Sequence, residues 1–143
     1  MIKPIISVSI FLLASVAGEA MAINCSVSNG YSRVAGDGDV LKTTLKGKTA
    51  CKLTGNDWEW QEYHDADGTL IDWKKGSDLV DGTSPVGTWS ATDGNGAQVT
   101  YTYGAQSYTY EVWKTKLGLY DFCTGAIAKV RGASLLDGQD SCD

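Results

Sequence analysis

Downstream of residue 51, apolar and polar positions alternate with a period of two. The clearest stretch is Val99-Thr100-Tyr101-Thr102-Tyr103, then Gly104-Ala105-Gln106-Ser107, then Tyr108-Thr109-Tyr110-Glu111-Val112. Alternation on both arms predicts an antiparallel hairpin. A four-residue loop pairs Tyr103 with Tyr108, Tyr101 with Tyr110 and Val99 with Val112. Those six side chains then share one face, and Thr100, Thr102, Thr109 and Glu111 take the other.

The same pattern extends in both directions. Val86-Gly87-Thr88-Trp89-Ser90 enters a turn at Asp93-Gly94-Asn95-Gly96. Pairing Trp89 with Val99 sets Gly87 against Tyr101, where a glycine makes room for a large ring. Trp58 to His64 and Thr69 to Trp73 flank Ala66-Asp67-Gly68, a hairpin signal. Leu119 to Cys123 and Ala126 to Arg131 flank Thr124-Gly125. One short helix is expected over Asp39 to Lys46: Asp39 caps it, Leu41 and Leu45 share a face, and Gly47 ends it. The predicted class is all-β, an antiparallel meander of seven or eight short strands. Such a meander hides its edges by closing into a small barrel or curling into a tight sandwich.

The first 22 residues change the setting. Lys3 is followed by an apolar run over Ile5 to Ala17, and Ala20-Met21-Ala22 offers a small-x-small cleavage site. This reads as a secretory signal peptide, too short and wrongly flanked for a membrane span. Cleavage there leaves a single secreted domain over 23–143, about 120 residues long. Residues 23–38 and 132–143 show little pattern and are expected to be arms. A net charge of −5 makes nucleic acid and anionic lipid poor partners.

The chain has four cysteines, Cys25, Cys51, Cys123 and Cys142. An even count in a short secreted chain predicts two disulfides, and the absence of a close Cys pair argues against zinc. In a closed meander the first strand lies beside the last, which favours Cys51–Cys123 and Cys25–Cys142. The sequential pattern, Cys25–Cys51 and Cys123–Cys142, is the alternative.

Several segments carry a resemblance. Leu45-Lys46-Gly47-Lys48-Thr49, Trp60-Gln61-Glu62-Tyr63 with Gly68, Val86-Gly87-Thr88-Trp89 and Tyr120-Asp121-Phe122-Cys123 resemble small exported proteobacterial β-proteins of unassigned activity. The Gly-x-Trp element is also similar to the first strand of lipocalin-like and avidin-like barrels, although there it stands near the start of the chain. The resemblance implies a lipocalin-like barrel and a bacterial exported context. It brings no ligand residues with it.

Candidate chemistry is sparse. His64 is the sole histidine, and Glu62 lies two residues away on the same strand face. Such a pair can share a proton as an acid–base couple; equally, it fits an exposed polar hairpin end beside Asp65 and Asp67. No Gly-x-Ser-x-Gly elbow accompanies it. The turn at Asp93 lacks the acidic end positions of a calcium loop, since Ala91 and Thr102 occupy them. The stronger lead is the aromatic inventory of 5 Trp and 7 Tyr against only 2 Phe. Rings with a polar handle suit amphipathic ligands and protein partners as well as a small core. The expectation is therefore a secreted, non-enzymatic binding or interaction module. Its aromatic mouth or rim would hold a small amphipathic ligand or a protein partner, such as a hydrolase that it inhibits. Trp58, Trp60, Glu62, His64 and Trp113 are the candidate contacts, with no cofactor or metal. The alternatives are a small secreted enzyme using Glu62 and His64, and a passive envelope or matrix component.

Overall fold

The computed structural model describes residues 25–54, 57–73, 84–140 and 142, and among these the side chains of 53, 54, 57–60 and 73 lie outside the description. The expected signal peptide also lies outside the described residues. A 3-10 turn, Val27–Asn29, and a short strand β1, Ser32–Arg33, precede one helix, α1, Val40–Leu45. Eight strands follow: β2 Lys48–Thr54, β3 Asp57–His64, β4 Thr69–Trp73, β5 Ser84–Ala91, β6 Val99–Tyr103, β7 Gln106–Lys114, β8 Tyr120–Thr124 and β9 Ile127–Asp137.

Each of β2 to β9 pairs antiparallel with its sequence neighbour, and β9 returns to pair with β2 from Lys48↔Asp137 to Cys51↔Ser134. The eight strands thus form a closed barrel, the barrel form of the predicted meander. Closure pairs every strand on both sides and removes the exposed edges of an open sheet. β7 serves three partners: its first half pairs with β6, and its second half with β8 and, at Trp113 and Lys114, with β1. Residues 132–137, expected within a terminal arm, instead complete β9 and close the barrel.

Both predicted registers shift by two. The β6–β7 turn holds only Gly104 and Ala105, so Tyr103 pairs with Gln106, Tyr101 with Tyr108 and Val99 with Tyr110. Gly104, at φ 60°, supplies the left-handed backbone of this tighter turn. Trp89 pairs with Tyr101 rather than Val99. A slip of two keeps every side chain on its predicted face. Gly87 makes the predicted room, but for different atoms: a Cβ there would collide with the Thr102 carbonyl oxygen and lie 3.3 Å from the Tyr103 ring.

The lower end of the barrel is a conventional core. Leu41 and Leu45, four apart on α1, are buried in one cluster with Leu70, Trp89, Val99 and Val112. The helix therefore stoppers that end with its apolar stripe. Asp39 does not cap it through its side chain. It sits in the left-handed region at φ 60°, and its carbonyl accepts the Thr43 N–H at 2.8 Å. Gly47, at φ 71°, turns the chain out of the helix into β2 as expected. The Trp89 indole N–H donates to the Asp65 carbonyl at 2.9 Å, tying the β3–β4 loop to β5.

The cysteines pair as Cys25–Cys123 and Cys51–Cys142, which corrects both expected patterns. The closing strand beside β2 is β9, whereas Cys123 stands on β8. Cys51 and Cys123 are thus two strands apart, about 9–10 Å at ordinary sheet spacing, beyond what a disulfide spans. Each strand cysteine is bridged instead to a terminal segment that lies over it. Two disulfides point to an oxidising, extracytoplasmic environment. Among the described residues no helix is long and apolar enough to cross a membrane.

Two outcomes follow from this packing. Peptide mapping without reduction should recover Cys25 linked to Cys123 and Cys51 linked to Cys142, and no Cys51–Cys123 peptide. In urea melts Gly87→Ala should lose about 1–3 kcal/mol through overpacking. Gly96→Ala, where a Cβ meets open space, should stay within about 0.5 kcal/mol of wild type.

Candidate functional site

Inward-facing side chains of β3 and β6 meet across the barrel, although β4 and β5 separate the two strands in the sheet. Glu62 and His64 stand two apart on β3, and Tyr103 and Tyr101 two apart on β6, so alternation directs each pair to one face. In the lower layer the Tyr101 hydroxyl lies 2.8 Å from His64 Nε2. His64 Nδ1 lies 3.2 Å from the Lys48 carbonyl oxygen. A carbonyl only accepts, so Nδ1 carries the proton and Nε2 accepts the Tyr101 O–H. The neutral imidazole has both nitrogens satisfied. It also lies edge-on to Trp89, with ring centroids 5.1 Å apart.

In the upper layer the Tyr103 hydroxyl donates to both Glu62 carboxylate oxygens, at 2.7 and 2.9 Å. This layer borders a cavity of about 320 Å³ lined by Ala50, Glu62, Tyr101, Tyr103, Tyr108, Tyr110, Phe122 and Val130. Its volume falls at the small end of the range for small-molecule sites, about 300–1,000 Å³. Small side chains on β2 and β9 leave the space, and rings from β6, β7 and β8 wall it. Tyr101, almost wholly buried, forms the floor and separates the cavity from His64. Tyr108, 44% exposed, stands at the rim.

The sequence-predicted contacts divide accordingly. Glu62 lines the cavity. His64 is wholly buried one layer below rather than exposed at a hairpin end. Trp113 stands on the outer face of β7, where its indole N–H donates to Glu111 at 3.3 Å and Arg33 pairs with Glu111 at 3.2 Å. It contributes nothing to the cavity wall. Trp58 and Trp60 belong to β3, and their side chains lie outside the described residues. Sequence reasoning assigned Tyr101, Tyr103, Tyr108 and Tyr110 only to a shared hairpin face and gave Phe122 no role. The shared face of the four tyrosines was legible in the alternation; the space between them was not.

Burial dominates the titration of both polar groups. It pushes the Glu62 carboxyl up to about 7, against the pull of the Tyr103 hydroxyl and with a further push from the Asp72 carboxylate. It pushes His64 down to about 4, opposed by the Lys48 carbonyl. The two have opposite consequences for stability. The contribution of Glu62 is full below its ordinary 4.5 and is lost as pH rises through about 7. That of His64 is full above its ordinary 6.5 and is lost as pH falls through about 4. Chemical denaturation across pH should separate them. Relative to wild type, Glu62→Gln should gain about 1 kcal/mol per pH unit as pH rises from about 4.5 to 7. His64→Gln should show a relative gain of similar size as pH falls from about 6.5 to 4.

No protein-family model, curated protein or solved structure matches the chain, so the functional reading rests on the geometry of this cavity.

Proposed function

We propose that the protein is an exported, non-enzymatic binding barrel that holds a small amphipathic molecule in its tyrosine-walled mouth. One observation carries the reading: a cavity of about 320 Å³ inside the barrel has five aromatic rings and one carboxylate in its wall. Aromatic walls with few, fixed polar groups are the usual make-up of small-molecule sites, because apolar contact supplies affinity and the polar groups set orientation. The walls stand on paired strands, and the Tyr103–Glu62 bond holds its two members in place before any ligand arrives. Preorganisation of this kind lowers the entropic cost of binding.

The arrangement speaks against acid–base catalysis by Glu62 and His64. A catalytic pair must reach the reacting atoms together. Here the imidazole is beneath Tyr101, both its nitrogens are engaged, and the Glu62 carboxylate is bonded to a different tyrosine. The amino-terminal signal sequence, with cleavage after Ala22, accounts for export, and the disulfides agree with that destination. Periplasmic and extracellular work are both consistent with these features.

N-phenyl-1-naphthylamine, a neutral aromatic probe that brightens in apolar surroundings, tests the reading. Titration should give a saturable, one-to-one rise in fluorescence. Val130→Trp, which fills the cavity, should weaken it at least tenfold, with near-ultraviolet circular dichroism confirming the fold. A response that does not saturate, or that survives Val130→Trp unchanged, would remove the case for a ligand cavity.

A further inference from the structure

We infer that the cavity selects an organic ammonium ion, a single positive charge on a small apolar or aromatic body, seated with its charge against Glu62 among the tyrosine rings. The inference rests on the binding reading above and specifies its ligand.

The argument starts from charge. Buried ionised groups are ordinarily paired with an opposite charge, because desolvation of a lone ion is costly. None of the eight lining residues is cationic. The two ion pairs among the described residues, Arg33–Glu111 and Lys48–Asp137, involve other groups. Apart from the Tyr103 hydroxyl, the described groups facing Glu62 do not relieve it. Its cross-strand partner on β4 is Asp72, another acid, and its partner on β2 is the uncharged Ala50. Tyr101 and Tyr103 on β6 and Tyr110 on β7 complete the surroundings with neutral phenols whose ionisation burial and Glu62 itself discourage. Among the described residues Glu62 thus has a donor in Tyr103 but no countercharge, and one face of it borders open space. A ligand cation would supply what the wall lacks.

The rings point the same way. A tyrosine face carries negative charge in its quadrupole and attracts an ammonium within about 6 Å of its centroid. The hydroxyls of Tyr101, Tyr103 and Tyr108 already donate to His64, Glu62 and Gln106. Three of the four lining hydroxyls are therefore already engaged as donors, Tyr110 being the fourth, and ring surface makes up most of what remains. The Tyr103–Tyr108 and Tyr101–Tyr110 centroids are each 6.2 Å apart, so the rings line the cavity as two pairs. An anion would meet Glu62 repulsion and quadrupole repulsion together.

Isothermal titration of the mature chain at pH 8 and low salt with three probes that share a phenethyl body tests this directly. The probes are phenethyltrimethylammonium, 2-phenylethanol and 3-phenylpropionate. The cation should bind at least tenfold tighter than the alcohol, and the carboxylate should not bind. Glu62→Gln should bring the cation down to the level of the alcohol and leave the alcohol unchanged. Because the quaternary ion does not titrate, its affinity should fall as Glu62 protonates below about 7, until it reaches the level of Glu62→Gln. Alcohol binding as tight as cation binding would overturn the ammonium inference while leaving the binding barrel standing. So would cation binding that is unchanged in a folded Glu62→Gln. Failure of all three probes, together with failure of the neutral fluorescent probe, would overturn both. The pH dependence of cation binding, set against a flat profile for the alcohol, is read on the native chain, so it decides the matter even if the variant does not fold.

Discussion

Two hydrogen bonds that cross the barrel from β3 to β6 govern the interior. An eight-stranded barrel has a lumen just wide enough for side chains from opposite walls to meet. Polar groups placed there must find partners among themselves, since an unpaired buried polar group costs about 1–3 kcal/mol. His64 and Tyr101 satisfy each other and the Lys48 carbonyl, which fixes one tautomer and one ring position. That lower bond makes Tyr101 a rigid floor. The upper bond, between Tyr103 and Glu62, leaves carboxylate surface beside a cavity. The two layers repeat one chemistry, a tyrosine hydroxyl on β6 donating to an acceptor on β3, with opposite results. One seals the core and the other borders a site.

Side-chain size along the strands explains why the cavity lies where it does. Toward the α1 end the interior receives Leu41, Leu45, Leu70, Trp89, Val99 and Val112, all buried and in one cluster. Toward the other end, β2 contributes Ala50 and β9 contributes Val130, while Gly87 on β5 lets β6 approach closely. Large rings on β6, β7 and β8 then face small side chains on β2 and β9. Rings are flat and stiff, so they wall a space they cannot fill. The same residue types that read as core in the sequence act as core below Tyr101 and as lining above it.

How far the sequence reveals this follows from the period of the strand. Alternation carries parity, so it showed which residues of β5, β6 and β7 share a face, even though both registers were misplaced by two. The number of residues in a turn carries no such signature: Gly104-Ala105-Gln106-Ser107 fits a four-residue loop as well as the two-residue turn that Gly104 makes. Burial of His64 was hidden for a related reason. Its sequence neighbours Glu62, Asp65 and Asp67 are acidic and suggest a wet hairpin end, but Glu62 faces inward with it and only the loop acids are outside. Trp113 shares the parity of Thr109 and Glu111, and the outer face of β7 is where it stands. The disulfide pattern depended on which strand closes the barrel. The arm expected over 132–143 conceals the second half of β9 because Gly132 and a small Ala-Ser pair interrupt the alternation before Leu135.

That closing strand is also where the cysteines act. β9 joins β2 across about 85 residues of chain, and closing a loop of that length costs roughly 4 kcal/mol in entropy. β9 lies between β2, which bears Cys51, and β8, which bears Cys123. The bridges join positions 91 and 98 residues apart, nearly the separation of the closing pair itself. Once Cys51 holds Cys142, Ser134 to Asp137 are held within a few residues of their partners on β2. The covalent links therefore fall on the least local contact of the fold. An oxidising compartment is in this sense part of what closes the barrel, and through it part of what holds β2, β3 and β6 around the cavity.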